Sequence, residues 1–270
     1  MENKPMITST LKAFLTFLGS FFFSACLTVL IHEVGHALAF LILDYPDIDI
    51  LVTPFYGITS SSQSLDLSNA AFVLVAGPFF DLFCATIIIL SIWRKRSTKL
   101  LPILMYGGTA YLIEGVVMFN TFFTSSVLTD WDGIIYLGFP PFLVAVLSGI
   151  VLLIGIFIFY LIWPLVNISS EDTYIKKLII GLGYIPYFII SFIYSIILNL
   201  LLLPELTLLS FLNLIILVSI TILMVLLYKP LFPLIDRISH TEVRDSRWSN
   251  VWLSTGSAGA IFLLLTLLFN

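Results

Sequence analysis

Long runs without charge alternate along the chain with short segments that hold nearly all of its charges. Residues 13–31 carry no charged side chain, and apolar character resumes after His36 as far as Leu43. Residues 67–93 are interrupted only by Asp81 and 100–123 only by Glu114, while 133–164, 178–204, 206–228 and 251–270 are charge-free. About 20 apolar residues cross the hydrocarbon core of a bilayer as a helix, so each run is long enough to span. The runs lack the period-two alternation of a barrel strand, the other structure that satisfies every backbone polar group in lipid. The pattern therefore predicts an all-α polytopic membrane protein with about seven transmembrane helices. One segment departs from it: β-prone residues around Tyr56-Gly57 predict a short outer-side hairpin or re-entrant segment near 48–65.

Composition agrees, with 60% hydrophobic and 10% charged residues and a mean hydropathy of +1.11. A soluble domain has about 25% charged residues. A soluble domain, a disordered chain and a nucleic-acid binder are excluded, and the lipid bilayer is the expected surroundings. Cys26 and Cys84 both fall in apolar runs, which fits small core residues better than a disulfide framework. The hydrophilic stretches are too short for a separate domain, so 1–270 is read as a single membrane-embedded unit.

The basic residues orient the spans. Lys4 and Lys12 precede the first, Arg94, Lys95, Arg96 and Lys99 follow the second, Lys176 and Lys177 follow the fourth, and Lys229, Arg237, Arg244 and Arg247 follow the sixth. With seven alternating spans all 12 Lys and Arg fall on one side. The positive-inside rule then predicts a cytoplasmic N-terminus and an external C-terminus. Apolar character runs well past a 7–15-residue signal-peptide core, so the first span is expected to be retained.

Two of the three histidines stand in His32-Glu33-Val34-Gly35-His36. Positions i and i+4 share a helix face, so both imidazoles can reach one Zn²⁺, with Glu33 beside it to take a proton from water. The alternative is a pair of core histidines with a partner carboxylate, but ionisable groups inside a membrane helix are expensive and usually functional. A catalytic zinc site needs a third ligand. His32 and His36 lie roughly 18 and 12 Å below Asp44 at 1.5 Å per residue, so that ligand must come from the outer half of the bundle. Glu114, Asp130 and Asp132 qualify by position, whereas His240 falls on the other side.

The histidine motif, continued by Ala37-Leu38, resembles that of the site-2-protease group of intramembrane zinc metallopeptidases, and most closely the compact branch of that family. Ala76-Gly77-Pro78 is similar to an element that follows the zinc helix there. Thr129-Asp130 followed by Gly138-Phe139-Pro140 is similar to the segment bearing the third ligand. The resemblance covers about 12–150; residues 151–270 would be additional transmembrane helices. It implies a zinc metalloendopeptidase acting on membrane-protein or peptide substrates, with Glu33 catalytic and His32, His36 and Asp130 as metal ligands. Asp132-Gly133 imitates the Asp-Gly of the wider family and is the rival register. Two features depart from the family: Asp81 stands where an Asn is common, and the zinc helix runs from inside to outside, opposite to well-known members. Either this branch cuts from the other face or the span count is off by one.

Glu114 is read either as a partner of a zinc-bound histidine or as a protonated carboxyl packed between helices. Asn120 is read as a polariser of the scissile carbonyl or as a helix–helix hydrogen bond, and Asp81 as a neutral buried acid rather than half of a second metal site with Cys84. Segment 48–65 would hold an unwound substrate by strand addition, or be an ordinary loop. The same residues also admit a transporter of a metal ion or small solute, or a catalytically silent membrane scaffold.

Overall fold

A computed structural model describes residues 6–53, 56–92, 100–122, 129–166, 168, 171–190, 193 and 205–238, the backbone alone at 6–9, 205–213 and 232–238. The elements are α1 (Met6–Ile42), β1 (Ile48–Val52), β2 (Gly57–Ser61), α2 (Leu67–Ile92), α3 (Leu101–Asn120), α4 (Asp130–Tyr136), α5 (Pro141–Ile162), a 3₁₀ turn (Trp163–Val166), α6 (Tyr174–Gly181) and α7 (Glu205–Ile238). Among the described residues, five helices are long and apolar enough to cross a membrane: Thr10–Ile42, Leu67–Ser91, Leu101–Asn120, Pro141–Val166 and Leu214–Leu231. The chain is thus a mostly helical, multi-pass membrane protein with a small antiparallel sheet among the described residues. The predicted seventh span, 251–270, lies outside the described residues, as do Lys4, Arg94, Lys95, Arg96, Lys99, His240, Arg244 and Arg247.

Two predicted runs are not single helices. Run 133–164 divides into α4 and α5 because Gly138 takes φ +100° and Pro140 and Pro141 follow it. That left-handed backbone suits glycine, and a proline at the first helical position starts a new helix. Run 178–204 is broken at Leu182, where the amides of Leu182 and Gly183 fold back onto Leu178 and Ile180 and α6 ends.

The most buried span is α3, which packs on α1, α2 and α5. Its glycines let neighbours approach: Gly108 lies against the Phe159 ring and Gly115 against Leu152. An aromatic group of Phe17, Phe21, Tyr184, Tyr187 and Phe188 joins α1 to the segment after α6. Asp66 caps α2, its carboxylate accepting from the Asn69 amide and the Ser68 hydroxyl, both at 2.8 Å. Those bonds hold its pKa below the ordinary carboxylate value.

The hairpin forms where the β-prone run predicts it. Thr53 N–H donates to the Tyr56 carbonyl at 2.9 Å, and the Thr53 hydroxyl donates to the same oxygen at 2.8 Å. The register pairs Val52 with Gly57, Leu51 with Ile58 and Ile50 with Thr59. Antiparallel hydrogen bonding alternates outward from the closing pair 53/56, so Leu51 and Ile58 bond each other while Gly57, Thr59 and Ser61 turn their main chain outward.

Candidate metal centre

Four elements meet near the C-terminal end of α1. The helix itself carries His32 and His36 on one face, with ring centroids 4.8 Å apart. It can place them deep in an apolar bundle because α2 approaches through glycine: a Cβ on Gly35 would meet the Ala76 carbonyl at 2.6 Å and the Gly77 Cα at 2.9 Å. A Cβ on Gly77 would strike the His36 ring itself, at 2.6 Å from Cε1 and 2.8 Å from Cδ2. Pro78, inside α2, has no N–H to donate to the Leu74 carbonyl. The Val73 carbonyl accepts from His36 Nδ1 at 2.7 Å.

Asp130 is delivered by α4. Its Oδ2 lies 2.8 Å from His32 Nε2 and 3.2 Å from His36 Nε2. One ligand atom from each of His32, His36 and Asp130 can be chosen so that all lie within 4.8 Å of one another. Burial alone would push the Asp130 carboxyl up, but the hydrogen bonds and charge of the two histidines outweigh it and hold it well below the ordinary range.

The other ring nitrogens decide what this convergence means. A backbone carbonyl only accepts, so His36 Nδ1 carries the hydrogen, and whenever the ring is neutral it presents a lone pair at Nε2. His32 Nδ1 donates in the same way to Glu114 Oε1 at 2.8 Å, and Glu114 Oε2 accepts from Trp131 Nε1 at 3.3 Å. With both rings neutral, two imidazole lone pairs and a carboxylate oxygen face one another, an arrangement that a cation or a shared proton stabilises. Tetrahedral zinc with bonds of about 2.0 Å needs its ligand atoms roughly 3.3 Å apart, close to the separations from Asp130 to each histidine. The residues fit a divalent metal held by two imidazoles and one carboxylate, with a position left open. That donor set also suits other first-row metals.

Glu33 is 5% exposed and faces the hairpin. The Thr59 hydroxyl donates to its Oε2 at 2.7 Å and to its main-chain oxygen at 3.2 Å. A Cβ on Gly57 would meet its Cδ and Oε1, each at 2.6 Å. Asp132 lies elsewhere: its carboxylate caps α4, accepting from Thr129 N–H at 3.0 Å and the Thr129 hydroxyl at 2.9 Å. The helix thus turns Asp130 to the histidines and gives Asp132 to a capping box. Asn120 is buried at the C-terminal end of α3. Five contributors were not predicted from the sequence: Gly57, Thr59, Val73, Trp131 and the closeness of Gly77 to His36. Only the glycines carried a signal, as residues able to admit close backbone approach.

No family model matches the chain, and neither does any curated protein or solved structure. The fold and the site define a class, a multi-pass helical membrane protein whose bundle encloses a group able to hold a metal ion.

Proposed function

We propose that this chain is an intramembrane zinc metallopeptidase of the site-2-protease type, hydrolysing peptide bonds of membrane proteins within or near the bilayer. The observation that carries this reading is the meeting of both Nε2 atoms on Asp130 Oδ2, while each Nδ1 is held by a separate acceptor. Zinc held by these three residues would lower the pKa of a water and polarise a carbonyl. Glu33 is the proton carrier. Thr59 occupies Oε2 and leaves Oε1 without a hydrogen-bond partner among the described residues, so Oε1 receives the proton and later returns it to the leaving amine. Glu114 keeps His32 in the tautomer that presents Nε2, and the Val73 carbonyl does the same for His36. The hairpin lies against Glu33, so a substrate strand paired to the outward edge of β2 would run beside the proton carrier. In this reading the N-terminus is cytoplasmic, the C-terminus external, and the site opens towards the outer face.

The test is metal content and cleavage on the purified full chain. Wild type and Glu33→Gln should both contain about one zinc per chain, while Asp130→Ala should not, and Glu33→Gln should abolish cleavage of a membrane-peptide substrate. Metal-free wild type would overturn the metal reading. Full cleavage by Glu33→Gln would remove Glu33 from the mechanism and favour a transporter or scaffold.

A further inference from the structure

A buried polar seam runs along α1 beneath the histidines. Thr16, Ser20, Ser24, Thr28 and His32 recur at every fourth residue, and the four hydroxyl residues are all at most 3% exposed. Four-residue spacing stacks side chains along one slowly turning face. Two groups of α3 meet this seam: the Thr109 hydroxyl donates to Ser24 Oγ at 3.3 Å, and Glu114 holds His32. Thr28 lies between those contacts, one turn from each. From α2 comes Asp81, 0% exposed, with Tyr106 Oη donating to its Oδ1 at 2.7 Å and to its main-chain oxygen at 3.1 Å. Tyr106 is one turn before Thr109 on α3, so Asp81 is joined to the same junction of three helices.

Ser20 Oγ, Thr28 Oγ1 and Asp81 Oδ2 have no hydrogen-bond partner among the described residues. Other buried or half-buried hydroxyls fold back on their own helix, two of them within the seam: Thr16, Ser24, Thr86 and Thr221 each donate to the carbonyl four residues earlier. Ser20 and Thr28 do not, and both lie in the seam. Buried polar atoms are nearly always paired, and ordered water is the usual partner where protein supplies none. A carboxylate so enclosed, with one donor on one oxygen, is also far less stable than the neutral acid, whose own hydrogen can be given to water. The titratable groups around Asp81 are Tyr106 and Glu114 on α3, His32 on α1 and Cys84 on its own helix.

We infer that Asp81, Tyr106, Thr28 and the Ser24–Thr109 pair form an intramembrane hydration site in which Asp81 holds a proton in exchange with bound water. The exchange balances: Asp81 Oδ2 gives its proton to a water that returns one of its own, and Tyr106 Oη steadies the transient carboxylate. Its use rests on the peptidase reading, since hydrolysis consumes water and moves protons, and this junction holds both one turn beneath His32.

The experiment is infrared spectroscopy of the full chain in lipid nanodiscs, in H₂O and after transfer to D₂O at neutral pH. Wild type should show the C=O stretch of a neutral carboxylic acid, absent in Asp81→Asn, that moves to lower frequency as deuterium exchanges in. Thr28→Val keeps the shape of the side chain but removes the hydroxyl, and should slow that exchange at least tenfold while leaving the band in place. No acid band in wild type, a band that survives Asp81→Asn, or equal exchange rates in wild type and Thr28→Val would each overturn the proposal. Zinc measured on the same samples separates the two readings: metal-free protein that still shows the exchanging band refutes the metal site and leaves the hydration site standing.

Discussion

Replacing Asp130 by Asn removes the charge from an atom that lies 2.8 and 3.2 Å from two imidazole nitrogens, with almost no change in volume. Structural zinc binding is worth roughly 10–16 kcal/mol over four ligands, or about 2.5–4 kcal/mol per ligand. At 1.4 kcal/mol per tenfold, losing one ligand should weaken zinc affinity by about two to three orders of magnitude. Asp132→Asn is the control from the same helix turn. The two positions differ by about 200° around the helix, and Asp132 is held by Thr129, so its replacement disturbs a cap worth about 1 kcal/mol and leaves the ligand in place. Competition with a chromogenic zinc chelator, run on both variants and the wild type, reads the affinities directly. Asp130→Asn should fall by at least a hundredfold and Asp132→Asn by less than threefold. If Asp132→Asn loses the zinc and Asp130→Asn keeps it, the register that assigns the ligand to Asp130 is wrong.

Three further outcomes follow from the same geometry. Gly77→Ala drives a Cβ into the His36 ring, which must leave the Val73 carbonyl; zinc affinity should drop at least tenfold, and wild-type affinity would show that α2 can move aside. Thr59→Val keeps the β-branched shape but removes the donor to Glu33; a hydrogen bond to a charged group is worth about 1.5–3 kcal/mol, so kcat should fall roughly 10- to 150-fold with zinc content unchanged, and unaltered kcat would mean Glu33 needs no positioning. A tag inserted after Arg96 should be reachable only from the cytoplasm and one after Asn270 only from outside, and tags reporting the same side would mean the span count is wrong.

The lengths of the charge-free runs were enough to find the spans that the described residues contain, because burying a backbone in lipid leaves helices almost the only solution. They could not locate the breaks inside runs 133–164 and 178–204, where the hydropathy stays high and only the backbone changes. Gly138 followed by two prolines was a legible signal for the first break, whereas the second, at Leu182–Tyr184, lies among ordinary apolar residues. The paired histidines and Glu33 were visible because two side chains that share a helix face need a fixed spacing. The alternative of Glu114 as a partner of a histidine is the geometry found, with its carboxylate on His32 Nδ1. Thr59 and Val73 were beyond reach: one is a single hydroxyl 26 positions from Glu33, and the other acts through a carbonyl that every residue has. The hairpin register sets how its edge is to be probed.

The surroundings of the histidine turn divide sharply into two kinds. On one side the neighbours are backbone: Gly57 against Glu33, Gly77 against His36, and the Ala76 carbonyl and Gly77 Cα against Gly35. Backbone held within a strand and a helix has no rotamers to change, so that wall fixes where Glu33 and His36 sit. On the other side everything depends on three consecutive residues of α4. Asp130 meets both histidines, Trp131 holds the carboxylate that orients His32, and Asp132 closes the cap that starts the helix. Both the ligand and the support of its neighbour ride on one seven-residue helix, whose first turn is secured by Thr129 and Asp132. The histidine pair and Asp130 are therefore sensitive to α4 as a unit, and the adjustable wall of the site is the one that supplies Asp130.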